Sequence, residues 1–144
     1  MIKKANVTDA ALVAKLALQM WEDNTLEGLT ADLAEIIASP ESAVFLLYDG
    51  DAAVGFAQCQ LRHDYVEGTD SSPVGYLEGI FVEAGYRNQG HAKEMLKQCE
   101  AWAKSMGCIE FASDCELENT GSLAFHLKMG FEEANRVICF TKRL

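Results

Sequence analysis

FVEAGYRNQGHA, residues 81–92, passes from an apolar strand end through a short loop into the start of a helix. Small residues at Gly90 and Ala92 allow successive backbone N–H groups to turn toward one point. Free donors at a helix N-terminus attract anions, and a pyrophosphate suits such a site. Arg87 adds a cation at the rim. The spacing matches neither a Walker loop nor a full dinucleotide GxGxxG, so a turn that starts a helix and binds nothing is the alternative.

Apolar periodicity on both sides of this stretch predicts a mixed order of helices and strands. Before it, we predict a strand at residues 2–5, a helix capped by Thr8 or Asp9 and reaching Met20, and a second helix that follows Thr30 and ends at Ser39-Pro40. A hairpin turning at Asp49-Gly50, with its second strand continuing to His63, and a strand over residues 74–82 come next.

After it, the sequence predicts an amphipathic helix over residues 92–106, a buried strand over 108–113, a helix over 120–129 and a final strand over 137–141. Helices flanking a mixed sheet indicate an α/β or α+β fold. With only Pro40 and Pro73 and no linker or repeat, we expect one domain over residues 1–144.

The composition favours a cationic partner. The chain has 12 basic and 22 acidic residues, a net charge of −10, and 49% hydrophobic residues. This balance excludes disorder and argues against nucleic-acid or anionic-membrane binding, because both need Lys and Arg to neutralise phosphates.

Cysteine and histidine spacing predicts neither disulfides nor a metal site. The five cysteines form no CxxC pair, and His63, His91 and His126 share no ligand spacing. We therefore expect reduced, mostly buried thiols. No leader pattern and no membrane-length apolar run is evident, which favours a cytoplasmic location.

Arg87-x-x-Gly90-x-Ala92, between a strand and a long amphipathic helix, resembles the acetyl-CoA signature of the GNAT acetyltransferases. Asn119 and the later HLKMGF at residues 126–131 resemble the second cofactor element of that family. Trp21 and the stretches at residues 62–66, 70–74, 77–82 and 112–114 resemble, more narrowly, the aminoglycoside 6′-N-acetyltransferases.

The resemblance implies acetyl-CoA as co-substrate and no metal. Pantetheine is expected along Ile80, Phe81 and Val82, where a backbone N–H near Ile80 or Phe81 would face the developing oxyanion. The pyrophosphate is expected on the amides of residues 89–93. The implied cofactor-binding residues are Ile80, Phe81, Val82, Arg87, Asn88, Gln89, Gly90, His91, Ala92, Lys93 and Asn119.

Two residues are candidates for proton transfer. A reacting amine is almost wholly protonated at neutral pH, so it must lose a proton before attack. Glu78, a carboxylate among strand hydrophobics, is the candidate base, directly or through water; a solvent-facing strand carboxylate is the alternative. His126 stands where many family members have a tyrosine acid, although it can equally be a helix-surface histidine.

For the substrate, the resemblance implies a polycationic aminoglycoside bound by Trp21, Tyr65, Glu78, Asp114 and Asn135. Relatives tend to be acidic where Asn135 stands, so this contact is neutral here. The wider acidic set expected around the cleft is Glu22, Asp23, Asp64, Glu67, Asp70 and Glu116, with ordinary solubilising charges as the alternative.

Three alternatives to this function are open from the sequence. The chain can acetylate another amine, such as a polyamine, or bind CoA or cationic ligands without turnover. A Cys115 nucleophile has no base beside it in sequence. By resemblance, we also expect a homodimer that pairs through the apolar residues 137–140.

Overall fold

Five strands form one mixed sheet in the computed structural model, which describes residues 1–144. The strands are β1 (Ile2–Lys4), β2 (Ser42–Asp49), β3 (Ala52–Arg62), β4 (Val74–Val82) and β5 (Phe111–Ser113). They lie side by side in chain order. Neighbours from β1 to β4 are antiparallel, whereas β5 runs parallel to β4. The predicted mixed sheet is confirmed.

Helices cover both faces of the sheet because alternate strand residues are apolar on each face. The helices are α1 (Ala10–Leu18), α2 (Leu26–Ala38), α3 (His91–Ser105) and α4 (Thr120–Lys128). On one face, α1 and α2 bury Val13 and Leu33 against Phe56. On the other face, α3 buries Met95 and Cys99 in a second cluster with the sheet, and Phe125 of α4 packs against this cluster.

Two helix starts differ from the predicted ones. The first turn forms at Val7–Asp9, where Asn6 accepts a hydrogen bond from the Thr8 backbone at 3.0 Å. Asp9 does occupy the N-cap position of α1, but its side chain accepts from the Asn6 amide at 2.9 Å and makes no cap bond to α1. The second helix begins at Leu26, earlier than expected, because Thr25 Oγ1 accepts from the Gly28 amide at 3.0 Å. A capping oxygen satisfies an otherwise unpaired helix N–H and so fixes the first turn.

The predicted strand at residues 137–141 is wrong for this chain. Residues 129–144 belong to no helix or strand, and Ile138 and Phe140 are 81% and 88% exposed. A β-strand needs a neighbouring backbone to bond with, which an apolar sequence alone does not supply. Similarly, only Phe111–Ser113 of the predicted 108–113 strand forms, and it is half-buried.

All five cysteines are free, and Cys59, Cys99 and Cys108 are buried, as predicted. A hydrogen bond with neighbouring Cys59, followed by burial, raises the pKa of the Cys99 thiol, which keeps it protonated. No helix is both long and apolar enough to cross a membrane.

Candidate active site

The candidate site lies where β4 and β5 separate. β5 pairs with β4 only at Gly75, Tyr76 and Leu77, and the chain then turns away at Asp114. Residues 78–82 therefore have β3 on one side and no strand on the other. The sheet is open beside Ile80, Phe81 and Val82, the residues predicted to line the pantetheine. An edge without a partner strand can bond an extended ligand as an added strand would.

A bulge in β4 places Glu78 at the start of this opening. Gln58 of β3 pairs with Gly79, and the next residue, Cys59, pairs with Leu77. Glu78 is thus the extra residue without a partner across the ladder. Bulges re-aim side chains at strand positions next to functional sites, and here the re-aimed side chain is a carboxylate.

Backbone amides converge at the N-terminus of α3, just beyond the open edge. No N–H of residues 89–93 donates to an acceptor in the chain. Gly90 and Asn88 adopt left-handed φ values of 81° and 61°, which turn the loop into the helix. A methyl group at Gly90 would meet no atom within 4 Å, so the space beside Gly90 is open. The site fits an anionic diphosphate.

Two side chains of the same loop bond to backbone carbonyls in and beside the loop. The Arg87 Nε donates to the Val82 carbonyl at 2.7 Å, and its guanidinium lies 5.6 Å from the centre of the Phe81 ring. Gln89 Nε2 reaches the Gly85 carbonyl at 3.5 Å. Arg87 therefore holds the strand end and the loop together, and its contact with a phosphate stays a prediction. Phosphate contacts from His91, Ala92 and Lys93 also stay predictions, and the amides of these residues have no acceptor in the chain.

Four side chains are joined in a chain of contacts on the floor of the opening. Both oxygens of Glu78 accept from Arg62, with Nε and one terminal nitrogen each at 3.0 Å. The Arg62 guanidinium carbon lies 3.4 Å from the centre of the Tyr76 ring. The Tyr76 hydroxyl in turn donates to Asp114. The two predicted carboxylates, Glu78 and Asp114, are thus connected through residues that the sequence analysis did not assign.

The pKa of Glu78 reflects opposing effects. Burial raises it most, since its side chain is only 19% exposed, and the charge of Asp114 raises it further. The hydrogen bonds and charge of Arg62 lower it. Burial and the bond to Asp114 raise the pKa of Tyr76, which stays a neutral donor. A raised pKa makes a carboxylate a better base near neutral pH.

His126 closes the other side of the opening. Its Nδ1 lies 2.7 Å from the Ser122 carbonyl, and its Nε2 lies 2.8 Å from Ser113 Oγ. Because a carbonyl only accepts, Nδ1 carries a proton. Ser113 Oγ can donate to Nε2 or to the Leu77 carbonyl at 3.3 Å. These contacts hold the imidazole between the Ser122 carbonyl and the Ser113 hydroxyl.

Trp21 borders the opening from the α1 side. Its ring packs edge-on to Phe56, with centres 6.0 Å apart, and a methyl group at Gly79 would lie 2.8 Å from it. A surface cavity of about 310 Å³ lies beside it, lined by residues 20–24, including Glu22 and Asp23. Trp21 is therefore partly a core residue and partly available to a ligand.

The remaining predicted substrate residues are exposed and more dispersed. Tyr65, on the loop after β3, is 76% exposed. Asn135 donates from Nδ2 to Glu67 at 3.2 Å and so links the C-terminal segment to that loop. Asn119 caps α4 by accepting from the Ser122 amide at 3.1 Å. Asp64, Asp70 and Glu116 are exposed, and nothing in the chain binds them to Glu78.

Comparison with known proteins identifies the family. Residues 12–131 match the Acetyltransferase (GNAT) family. This chain belongs to the GNAT family. It is 44% identical over 142 residues to an aminoglycoside N(6′)-acetyltransferase type 1 from Stenotrophomonas maltophilia, a match covering 96% of this chain and 90% of that protein.

Solved structures are similar over the whole GNAT chain. AAC(6′)-Iy in complex with the bisubstrate analogue CoA-S-monomethyl-acetylneamine is 40% identical, with a TM-score of 0.95, covering 100% of this chain and 98% of that one. AAC(6′)-Iy in complex with CoA gives a TM-score of 0.96 at 40% identity, covering 100% of this chain and 95% of that one.

The sequence analysis assigned no role to Arg62, Tyr76 or Ser113. Arg62 and Ser113 lie in stretches that carry the resemblance, but nothing local distinguishes them from surface residues. The alternation of β4 was the available signal, because it places Tyr76 two residues before Glu78 and on the same side of the strand. Their contacts with Glu78, Asp114 and His126 join residues 13 to 38 positions apart.

Proposed function

We propose that this GNAT enzyme transfers the acetyl group of acetyl-CoA to the 6′-amino group of aminoglycosides and so confers resistance to them. The observation that carries the proposal is the juxtaposition of an open β4 edge, five free amides at the start of α3 and a half-buried carboxylate at the β4 bulge. The relatives named aminoglycoside N(6′)-acetyltransferases support the choice of acceptor.

Acetyl-CoA supplies an activated acyl group, so the protein needs to bind and orient the two substrates and to deprotonate the amine. The amides of residues 89–93 would hold the pyrophosphate, and the backbone of Ile80, Phe81 and Val82 would hold the pantetheine. Arg87 stands at the rim of this site. No group of three or more His, Cys, Asp or Glu side chains is arranged to hold a metal ion.

Glu78 is the proposed base. An aminoglycoside ammonium would be attracted to the Glu78 and Asp114 carboxylates, and Glu78 would take its proton directly or through water. The neutral amine then attacks the acyl carbon in a ternary complex. The C–S bond breaks, the nitrogen loses its second proton to water, and the thiolate leaves with or without a proton from His126 by way of Ser113. Cys115 forms no hydrogen bond with a histidine, which favours direct transfer over a covalent enzyme intermediate.

The test is CoA-thiol release from acetyl-CoA with kanamycin or tobramycin, beside a 6′-hydroxyl aminoglycoside, spermidine and a peptide amine. Turnover only with 6′-amines is the expected result. Removing a general base lowers rates by about 10²- to 10⁴-fold, so Glu78→Gln is expected to lose kcat by that factor. Glu35→Gln, an exposed carboxylate on α2, is the matched control.

Other outcomes separate the alternatives. Turnover with spermidine alone would keep the acetyltransferase and discard the aminoglycoside acceptor. Acetyl-CoA binding without thiol release on any amine would contradict enzymatic function and favour a non-catalytic binding module.

A homodimer in the cytoplasm is part of the proposal. The C-terminal segment exposes Val137, Ile138 and Phe140 without a partner in its own chain, and apolar patches of this kind mark interfaces. A second copy would supply the missing strand partner. Light scattering of the intact chain is expected to give twice the monomer mass, and Ile138→Lys with Phe140→Lys is expected to give the monomer. The free thiols support a reducing compartment.

A further inference from the structure

We propose that Arg62 is a positioning residue: bound to both oxygens of Glu78 and stacked on Tyr76, it holds the Glu78 carboxylate as an anion in one orientation beside Asp114. This inference rests on the proposed function, because it assigns Arg62 a role in the same proton transfer. Nothing in the fold requires an arginine here, since Arg62 is the last residue of β3 and its side chain is 38% exposed.

The geometry fixes Glu78 in two ways. A guanidinium that engages both carboxylate oxygens defines the plane of the carboxylate, which a single hydrogen bond does not. The guanidinium itself is held flat by the Tyr76 ring at 3.4 Å. Tyr76 is anchored by its bond to Asp114. A rotation of Arg62 away from Glu78 therefore also breaks its stack on Tyr76.

Charge explains why the pair of carboxylates needs this arginine. Two nearby carboxylates disfavour each other's ionisation and tend to share a proton. The charged groups acting on Glu78 are Arg62 from β3 and Asp114 from the segment after β5. Tyr76 of β4 is neutral, and the α1 side contributes the uncharged Trp21 near Gly79. The Arg62 guanidinium offsets the repulsion between the two carboxylates, because its charge and hydrogen bonds oppose the effect of Asp114 on Glu78.

The orientation also leaves room for chemistry. Each Glu78 oxygen gives one lone pair to Arg62, and each has a second lone pair for a water or an ammonium. Arg62 thus restrains the base without blocking it. Arg62→Met removes both the restraint and the charge, whereas Arg62→Lys keeps the charge but loses the planar two-point contact.

The first measurement reads ionisation without turnover. Protein labelled with ¹³C at the glutamate carboxyl carbons is titrated by NMR, and Glu78→Gln identifies the Glu78 resonance. Arg62→Met is expected to raise the Glu78 titration midpoint by at least about one pH unit, and Arg62→Lys by less. Arg136→Met, which removes an exposed two-point Arg–Glu pair with Glu133, is the control and should leave Glu78 unchanged.

The second measurement reads catalysis. In Arg62→Met, the pH below which kcat/KM falls is expected to rise together with the titration midpoint of Glu78. In a Glu78→Gln background, Arg62→Met is expected to have no further effect on kcat, because Arg62 acts through Glu78. Thermal melts monitored by circular dichroism confirm that each variant is folded, and Arg62→Lys provides the comparison if Arg62→Met unfolds.

Two results would overturn the inference: an unchanged Glu78 midpoint in both Arg62 variants, or an equal loss of kcat from Arg62→Met with and without Glu78. If wild type acetylates no amine, the proposed function fails, and the NMR titration still decides whether Arg62 holds Glu78 ionised.

Discussion

Gly90→Ala separates the backbone role of the loop before α3 from its proposed role in binding acetyl-CoA. Gly90 has φ of 81°, a conformation in which an L-residue costs about 1–2 kcal/mol. A methyl group there would touch no atom of the protein within 4 Å, so the free energy of unfolding should fall by that backbone cost alone. For a chain of this length, Tm should fall by about 3–8 °C.

The added methyl group would also enter the open space at Gly90, one of the five residues whose amides have no acceptor in the chain. Loss of one hydrogen bond to a charged phosphate corresponds to about 1.5–3 kcal/mol, or about 10- to 150-fold in affinity. We therefore expect the KM for acetyl-CoA to rise at least tenfold in steady-state assays of thiol release, with the KM for the amine little changed.

Two glycines provide matched controls. Gly107 has φ of 90° and open space around it, but it lies at the opposite end of α3, so Gly107→Ala should lower Tm equally and leave the KM for acetyl-CoA unchanged. Gly85 is in the same loop as Gly90 and has neither crowding nor a left-handed φ, so Gly85→Ala should leave Tm unchanged. An unchanged KM for acetyl-CoA in Gly90→Ala, with Tm lowered as in Gly107→Ala, would refute the proposed diphosphate site.

Three further predictions concern single side chains. Hydrogen bonds from Ser71 and the Asp70 amide lower the pKa of Glu110 below its value in the unfolded chain. Glu110→Gln should therefore lower the free energy of unfolding at pH 7. In urea unfolding, the difference in this free energy between wild type and variant should shrink as the pH falls from the unfolded pKa through the lowered folded pKa. Gln58 is 6% exposed with an unpaired carbonyl oxygen, so Gln58→Met should leave Tm unchanged or raise it, and a fall would contradict this account. Asn119→Ala should lower the free energy of unfolding by about 1 kcal/mol through loss of the cap on Ser122; Asn119→Ser should restore stability, and calorimetry compares the two.

Local signals were sufficient for most elements. Alternation and periodicity predicted the hairpin, β4 and α3 because each buries a face of its own sequence. The start of α2 was missed because its cap, Thr25, precedes the periodic residues on which the prediction depended. Residues 137–141 were apolar enough for a strand, yet a strand forms only beside another backbone, which this chain does not provide.

The candidate site divides in the same way. The sequence alone predicted the loop with Gly90 and the carboxylate at Glu78 as candidate site residues, because a glycine before a helix and a charge among strand hydrophobics are visible in a short window. Only the tertiary structure joined Glu78 to Arg62, Tyr76 and Asp114, since these contacts cross from β4 to β3 and to the end of β5. It also decided that β4 is open beyond Leu77. Pairing between strands depends on where segments far apart in the sequence pack, and no local sequence pattern encodes that packing.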